Sequence, residues 1–431
     1  MTSRPGVVLV TFGTSGDVNP FIALARALRR AGRTVRFLTD PHHAPSARAA
    51  GLDARTFESG VGPDLFARDP LLLDPKRGGV RYLTRCVPPA APALYDATRA
   101  AIEDLRAPAA PAPLVLAHHT AWAAAWAAQT AEAPWGVAAV APTSWPSARD
   151  GNMYPGMPDL DRYPAWMMRL GNAIGARAVD RAVDPAANRA RAELGLPPLR
   201  RVMTRRMLEG AINIGMWPPW WRPPAPDDPP RAHIVGWPLW DGPARADPDA
   251  LERVAAFLDA GEPPVLFTLG TLAGQAGVGF ASTAAHAART ARVRALALLG
   301  RGADHEPDAD DDPARVMKLN GYVPYGELMP RCAAIVHHAG MGTLARVTAA
   351  GVPAVATPVV LDQFDNARRA RVLGASATVP FARLTPDRLA RAIRSVMTDR
   401  DRARARELAS RVAGDVDAQL ENALAAVFGD Q

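Results

Sequence analysis

Cysteine and lysine are almost absent from this chain of 431 residues. The two cysteines, Cys86 and Cys332, lie far apart in different predicted domains, which excludes a disulfide framework and a cysteine metal site. No uncharged apolar run reaches the roughly 18 residues that a membrane-spanning helix needs, and the N-terminal segment lacks the apolar core of a signal peptide. We therefore expect a protein of the reducing cytoplasm, with peripheral attachment to the inner membrane as an open alternative.

The positive charge of the chain comes almost entirely from arginine. Lys76 and Lys318 are the only lysines, and the formal net charge is +7. A nucleic-acid-binding surface would need arginines gathered in a stripe with aromatic residues between them. Here the arginines are scattered along predicted helices, so we expect no nucleic-acid partner.

Buried strands alternate with amphipathic helices through both halves of the sequence. The run VVLVTF (Val7 to Phe12) is typical of a central parallel strand, and the helical pattern that follows it stops at Gly32. Because the chain is too long for one core, the pattern predicts an α/β protein with two Rossmann-like doubly wound domains that face a central cleft. Further predicted strands are Thr34 to Asp40, Leu114 to Ala117, Gly136 to Val140, Pro264 to Gly270, Val293 to Gly300, Cys332 to His338 and Pro353 to Pro358.

Proline and tryptophan mark the predicted domain boundary. The segment 221–245 is dense in both and is predicted to be a linker. It separates an N-terminal domain, 1–220, from a C-terminal domain, 246–405. A second unusual segment, from Ser144 to about Val183, is rich in Trp, Met and Pro and ends in a helical pattern. Long loops in compact domains are often binding loops, although an ordinary surface excursion stays possible.

A glycine turn follows the strand that ends at His338. In HHAGMGT the glycines let backbone N–H groups approach an anion at the start of the next helix, where the macrodipole favours negative charge. That helix rises about 12 Å over its 8 or so residues, and the next strand returns about 16 Å. Asp362 and Gln363 therefore come back to the same edge. A carboxylate and an amide beside a phosphate site suit sugar hydroxyls, so the predicted ligand is a sugar joined to a diphosphate.

The segment from Val323 to Gln363 resembles the donor-binding signature of family 1 glycosyltransferases, which have the GT-B fold. The resemblance implies that Val323 places backbone against the nucleotide base and that Asp362 and Gln363 bind the sugar. It implies a nucleotide-sugar co-substrate, no cofactor and no metal, and a helix 406–431 that packs back on the acceptor-binding N-terminal domain. The predicted diphosphate-binding residues are Gly13, Gly270, Thr271, His338, Gly340, Gly342 and Thr343.

The turn GTSGDVNP after the first strand carries the candidate catalytic base. Transfer of a sugar to a hydroxyl needs a group that removes its proton, and Asp17 is a carboxylate at the carboxyl edge of the first strand. Many family members have His at this position, and a bacterial branch has Asp. The alternative is that Asp17 only caps the following helix. His118 and His119 leave another strand at the same edge and are candidate partners, whereas His42 and His43 are expected to be plain loop residues.

Two other motifs suggest different ligands. GTSG with Asp40 imitates a dinucleotide-binding fingerprint but lacks its third glycine, so NAD binding is disfavoured. PDADDD, from Pro307 to Asp312, is a carboxylate cluster of the kind that binds Mg²⁺. Its position between a strand and RVMKL favours a solvated loop instead, and no metal is predicted.

Landmarks outside the donor signature resemble the rhamnosyltransferases that build rhamnolipids. They include GTSGDVNPFIALARAL, APTSWPSA and LDQFDNARR. This resemblance implies inverting transfer of L-rhamnose from dTDP-L-rhamnose to a hydroxyalkanoyloxy-alkanoate lipid, with an apolar acceptor pocket. The alternatives are a transferase of the same family that acts on a polyketide or sterol with a UDP- or dTDP-sugar, a sugar-nucleotide epimerase, and a non-catalytic binding protein. The predicted acceptor-pocket residues are Trp145, Met153, Trp166 and Met167.

Overall fold

The chain folds into two parallel β-sheets flanked by helices, in a computed structural model that describes residues 5–62, 64–106, 111–155, 163–242, 247–270, 273–299, 312–412 and 418. The strands are β1 (Val7–Val10), β2 (Val35–Thr39), β3 (Asp53–Thr56), β4 (Leu114–His118), β5 (Trp135–Ala139), β6 (Ile212–Gly215), β7 (Ala232–Ile234), β8 (Val265–Thr268), β9 (Ala295–Leu298), β10 (Val316–Leu319), β11 (Ala334–His337), β12 (Ala354–Ala356) and β13 (Ser376–Thr378). The helices are α1 (Ser15–Arg30), α2 (Ala44–Ala49), α3 (Leu65–Arg68), α4 (Gly78–Arg85), α5 (Ala91–Leu105), α6 (Trp122–Thr130), α7 (Ala165–Glu193), α8 (Pro248–Asp259), α9 (Ala273–Ala291), α10 (Tyr325–Leu328), α11 (Met341–Ala350), α12 (Gln363–Val372), α13 (Pro386–Val396) and α14 (Asp399–Val412).

The two sheets have the same order of winding. The first sheet runs β3-β2-β1-β4-β5-β6-β7, the second runs β10-β9-β8-β11-β12-β13, and the paired strands are parallel. In each sheet the chain changes its direction of winding once, between β1 and β4 and between β8 and β11. Ligands bind at the carboxyl ends of the strands beside such a switch point. The prediction of two Rossmann-like parallel sheets is confirmed.

The first compact unit reaches Trp240, and the second begins at Asp241. The segment 221–245, predicted as a linker, contributes β7 to the first sheet, where Ala232 pairs with Asn213 of β6. In the second unit α14 packs against α11. Residues 413–431 of the predicted C-terminal helix, apart from Ala418, lie outside the described residues.

Local sequence explains the strands and helices that form the core. All four residues of β1 are fully buried, as a central parallel strand requires. In α1 the apolar residues recur at helical spacing and Val18, Phe21 and Leu28 are buried, while Arg29 and Arg30 occupy the last turn, where cations suit the helix dipole. Strands β3, β6, β7, β10 and β13 were not predicted. They are short, and β3, with the sequence DART, is an edge strand with mostly exposed side chains.

No described helix is both long enough and apolar enough to cross a membrane. The longest, α7, has 29 residues but carries arginines and aspartates along its length.

Candidate active site

Asp17 lies in the first turn of α1, directly after the carboxyl end of β1. The backbone N–H and the hydroxyl of Thr14, the N-cap residue, both donate to Asp17 Oδ2, at 2.8 and 2.9 Å. This arrangement caps the helix, as the alternative interpretation of the sequence proposed. It uses only one carboxylate oxygen, however, so Oδ1 is left for a second role.

Asp17 Oδ1 lies 3.5 Å from His118 Nε2. The two residues meet because β1 and β4 are neighbours in the sheet, with Val10 paired to Ala117, so both side chains leave the same edge. The Asp17 side chain is 26% exposed and that of His118 is 3% exposed. Burial raises the pKa of Asp17, and the hydrogen bonds from Thr14 oppose this shift. Burial lowers the pKa of His118 to about 3, so the imidazole is neutral at physiological pH.

His119 is a second neutral imidazole beside this pair. Its ring centroid lies 4.2 Å from that of His118, and its Nδ1 is buried without a hydrogen-bond partner among the described residues. Burial lowers the pKa of His119 to about 3, while the carboxylate of Asp17 acts in the opposite direction. The structure thus brings together the three residues of the first unit for which catalytic roles were predicted.

Asp40 and His43 fix the turn that precedes Asp17. Asp40 Oδ2 accepts a hydrogen bond from Gly13 N at 3.1 Å, and His43 Nε2 donates to Gly13 O at 3.1 Å. Gly13 has φ of +124°, and a Cβ there would lie 2.7 Å from Asp17 Oδ2, so the position requires glycine. The Ser59 hydroxyl also donates to Asp40. Burial raises the pKa of Asp40 to about 6.

The roles of these two residues were not predicted from the sequence. His43 was expected to be a plain loop residue, yet it is 2% exposed and contacts the turn before Asp17. Asp40 was considered only as part of a dinucleotide motif. The available signal was their position directly after β2, which is the neighbour of β1 in a doubly wound sheet.

The glycine turn of the second unit encloses the His338 ring. β11 ends at His337, and Gly340 is the N-cap of α11, whose first turn contains Gly342 and Thr343. A Cβ on Gly270 would lie 2.6 Å from His338 Cε1, and a Cβ on Gly340 would lie 3.0 Å from His338 Cδ2. Both glycines are therefore required by the close approach of the imidazole. His338 is neutral, because burial lowers its pKa to about 4.

The N-terminus of α11 can bind an anion. The backbone N–H groups of a first helical turn have no partner within the helix, and the macrodipole adds positive potential. His338 Nδ1 is buried there without a hydrogen-bond partner among the described residues. Gly270 N donates to Thr268 Oγ1 at 3.1 Å, and Thr268 Oγ1 lies 2.9 Å from the Tyr325 hydroxyl, so this second turn is also held in place. Thr271 lies outside the described residues.

Asn366 connects the predicted sugar residues to the glycine turn. Its Nδ2 donates to Ala339 O at 3.0 Å and to Asp362 Oδ2 at 2.7 Å. Gln363 Oε1 accepts from the backbone N–H groups of Val359 and Val360, at 2.8 and 3.1 Å. The amide oxygen of Gln363 thus stabilises the loop that precedes α12. Sequence analysis did not single out Asn366, although it lies one helical turn after Asp362 on the same face of α12.

Val323 is 3% exposed and its side chain packs in the core of the second unit. Any contact with a nucleotide base at this position would therefore come from the backbone, as the resemblance implies.

Known families cover most of the chain. Residues 7–138 match the N-terminal domain of glycosyltransferase family 28, and residues 273–423 match the C-terminal domain of proteins like erythromycin biosynthesis protein CIII. The chain is 33% identical over 422 residues to O-mycaminosyltylonolide 6-deoxyallosyltransferase of Streptomyces fradiae, an alignment that covers 95% of this chain and 94% of that protein. The chain therefore belongs to the same glycosyltransferase family as that Streptomyces protein. It is also 28% identical to vancomycin aglycone glucosyltransferase of Amycolatopsis orientalis, over 95% of this chain and 94% of that protein.

Solved glycosyltransferases share the fold. The calicheamicin glycosyltransferase CalG4 matches with a TM-score of 0.67 at 18% identity, over 100% of this chain and 99% of its own. The glycosyltransferase VinC, solved in complex with dTDP, matches with a TM-score of 0.65 at 20% identity, over 99% and 100% of the two chains. At these identities the likeness shows the fold alone. Its family membership makes the chain a hexosyltransferase that uses a nucleotide sugar as co-substrate, and its fold is GT-B.

The predicted acceptor residues of the glycosyltransferase differ in burial. Trp145 is 2% exposed and packs against Trp217, with ring centroids 4.8 Å apart, and beneath the Arg222 guanidinium. Trp166 and Met167, in contrast, are exposed on the first turn of α7. Met153 is half-buried. Trp145 therefore has a clear structural role, and only the other three residues offer side-chain surface to an acceptor.

Metal ligands are not clustered in the part of the glycosyltransferase that the structure describes. No group of three or more His, Cys, Asp or Glu side chains there could hold an ion. The PDADDD segment falls outside the described residues except for Asp312.

Proposed function

We propose that this hexosyltransferase moves a sugar from a thymidine diphosphate donor to a hydroxyl group of a polyketide or glycopeptide natural product, with inversion at the anomeric carbon. The observation that carries the proposal is Asp17, a carboxylate with one oxygen held by the helix cap and the other beside a neutral histidine. Such a group is suited to removing a proton from an acceptor hydroxyl.

The chemical roles are divided between the two units. Asp17 Oδ1 takes the proton from the acceptor hydroxyl, and the oxygen so activated forms a bond to the anomeric carbon of the donor. The bond from that carbon to the diphosphate oxygen breaks, and the nucleoside diphosphate leaves with the electron pair. The N-terminus of α11, with Gly342 and Thr343 in its first turn, stabilises the negative charge of the leaving group.

The relatives support the proposed acceptor class. Their names specify O-mycaminosyltylonolide and vancomycin aglycone, and the solved dTDP complex of VinC supports a thymidine nucleotide. The sequence resemblance instead suggested dTDP-L-rhamnose and a hydroxyalkanoyloxy-alkanoate lipid. Neither of these two names specifies a lipid of that kind, so the natural-product acceptor is the better-supported proposal.

A matrix of donors and acceptors tests this proposal. Purified enzyme is incubated with dTDP- and UDP-hexoses, including dTDP-L-rhamnose, and with a macrolide aglycone, a glycopeptide aglycone or a hydroxyalkanoyloxy-alkanoate. We expect transfer to one of the two aglycones and a preference for dTDP donors. Transfer to the lipid alone would overturn the acceptor assignment. Interconversion of donor sugars in the absence of any acceptor would indicate an epimerase instead.

A further inference from the structure

A chain of buried polar groups lies behind Asp17. Thr120 Oγ1 is 2.8 Å from His118 Nδ1, and the backbone N–H of Thr120 donates to the same nitrogen at 3.4 Å. The hydroxyl of Tyr82, on α4, lies near the Thr120 side chain. His118 and Thr120 are 2% and 3% exposed. No motif of the family resemblance described above includes Tyr82 or Thr120.

The positions of the donors decide where the imidazole proton lies. Because the Thr120 N–H points at His118 Nδ1, that nitrogen acts as an acceptor. The Thr120 hydroxyl then donates to the same nitrogen. A neutral imidazole carries one proton, which must therefore be on Nε2. Nε2 has no hydrogen-bond partner among the described residues, and Asp17 Oδ1 lies 3.5 Å from it.

We propose that Thr120 is a positioning residue that locks His118 as the Nε2–H tautomer, so that the Nε2–H faces the Asp17 carboxylate and His118 is not itself the base. The proposal rests on the proposed role of Asp17. A donor at Nε2 stabilises the carboxylate and aims Oδ1, which keeps its remaining lone pair for the acceptor proton. The low pKa of His118, about 3 because of burial, agrees with an imidazole that stays neutral throughout the cycle.

Several titratable groups surround Asp17, and a substitution at Thr120 removes a hydrogen bond from only one of them. Only His118 among them is hydrogen-bonded to the Thr120 side chain. The titratable groups around the site are His118 and His119 after β4, Asp40 and His43 after β2, Glu58 near Asp40, and Tyr82 and Cys86 of the α4 region.

Three variants separate tautomer control from packing. Thr120→Val keeps the shape of the side chain but removes the hydroxyl, Thr120→Ser keeps the hydroxyl, and Tyr82→Phe removes only a neighbouring hydroxyl. We expect Thr120→Val to lower kcat by about five- to tenfold, the usual effect of losing one hydrogen bond between neutral groups. We expect Thr120→Ser and Tyr82→Phe to retain most activity. KM for the nucleotide sugar should stay unchanged, because all predicted donor residues except Gly13 lie in the second unit.

The pH profile and the tautomer supply readouts that packing alone does not move. Loss of the Nε2–H donor disfavours the Asp17 carboxylate, so the acid limb of kcat/KM should shift to higher pH in Thr120→Val and return in Thr120→Ser. In histidine-labelled protein, ¹⁵N spectra should show His118 with an unprotonated Nδ1 in the wild type and a mixture of tautomers in Thr120→Val.

The outcomes also separate this proposal from the proposed function. A wild-type pH profile and an unchanged tautomer in Thr120→Val, with Asp17→Asn inactive, would overturn the tautomer lock and leave Asp17 as the base. An active Asp17→Asn would instead remove the proposed function on which the lock rests. If Thr120→Val does not fold, a protonated Nδ1 in the wild-type spectrum or in Thr120→Ser is sufficient to overturn the proposal.

Discussion

Asn366 Nδ2 donates to Asp362 Oδ2 at 2.7 Å, and the same nitrogen donates to the backbone carbonyl of Ala339 at 3.0 Å. One amide group therefore ties the predicted sugar-binding carboxylate to the turn that contains His338. Ala339 has φ of +62°, a left-handed conformation that is unusual for alanine. The hydrogen bond from Asn366 helps to hold the turn in that conformation.

Asn366→Asp should weaken binding of the sugar part of the donor. The new carboxylate cannot donate to Ala339 O, and it places a second negative charge beside Asp362. We expect the affinity for the intact nucleotide sugar to fall by about tenfold, with a smaller loss for dTDP alone. Calorimetric titration with the two ligands measures the difference. Equal losses for both would show that Asn366 acts only on the diphosphate turn.

Gly340→Ala should weaken nucleotide binding because the added methyl group overlaps the His338 ring. Overpacking of this kind costs about 1–3 kcal/mol, so the Kd for dTDP should rise by about tenfold. Gly279→Ala is the matched control, since nothing lies within 4 Å of a Cβ at that helical position. It should leave the Kd unchanged. Unchanged dTDP binding in Gly340→Ala would remove this turn from the donor site.

Asp17→Asn should abolish most turnover and leave donor binding intact. Loss of a general base typically costs about 10²- to 10⁴-fold in rate. Asp387, which lies in the first turn of α13, provides a control, because Asp387→Asn changes the same kind of helix start far from the site in sequence. Near-normal kcat in a folded Asp17→Asn would show that the carboxylate only caps α1.

The same assignment predicts how the wild-type rate depends on pH. Burial raises the pKa of Asp17, so the base becomes protonated at a higher pH than an exposed aspartate does. We expect kcat/KM to decline as the pH falls through this raised value. His118 and His119 should not contribute to this decline, since they stay neutral down to about pH 3.

The stability of the first unit should depend on Asp40. Its pKa is raised from 3.8 to about 6 in the folded protein, so folding is favoured by protonation. The contribution is complete below about pH 4 and is lost as the pH rises through about 6, a change of up to roughly 3 kcal/mol. In Asp40→Asn this decline should be smaller. All ten tryptophans lie between Trp122 and Trp240, so fluorescence in urea monitors this unit selectively. The same decrease in the free energy of unfolding with pH in the wild type and in Asp40→Asn would contradict the prediction.

Two tryptophans predicted to contact the acceptor should behave differently. Trp145→Ala removes a buried ring from the core and should lower the free energy of unfolding by about 3–5 kcal/mol. Trp166→Ala removes a ring that is 63% exposed and should change stability by less than about 0.5 kcal/mol. It should raise KM for the acceptor while KM for the donor stays constant. A loss of stability in Trp166→Ala similar to that in Trp145→Ala would contradict the assignment of Trp166 to the surface.

The sequence by itself determined the class of fold and the type of ligand. Continuous apolar runs such as Val7 to Phe12 specify central strands, because only a strand buried on both faces is apolar throughout. The glycines around His338 indicated an anion site, since backbone can approach a ligand closely only where side chains are small. Short edge strands such as β3 carry no such pattern, and they were missed.

Only the tertiary structure decided which side chains share a site. The contact of Asp17 with His118 depends on the pairing of β1 with β4, which are about 100 residues apart in the sequence. The hydrogen bond from Gly13 N to Asp40 depends on the pairing of β2 with β1. Burial also separated Trp145 from Trp166, two residues that look alike in the sequence. Composition and spacing specify which elements form, but the order of strands and the exclusion of water fix the distances and pKa values on which the chemistry depends.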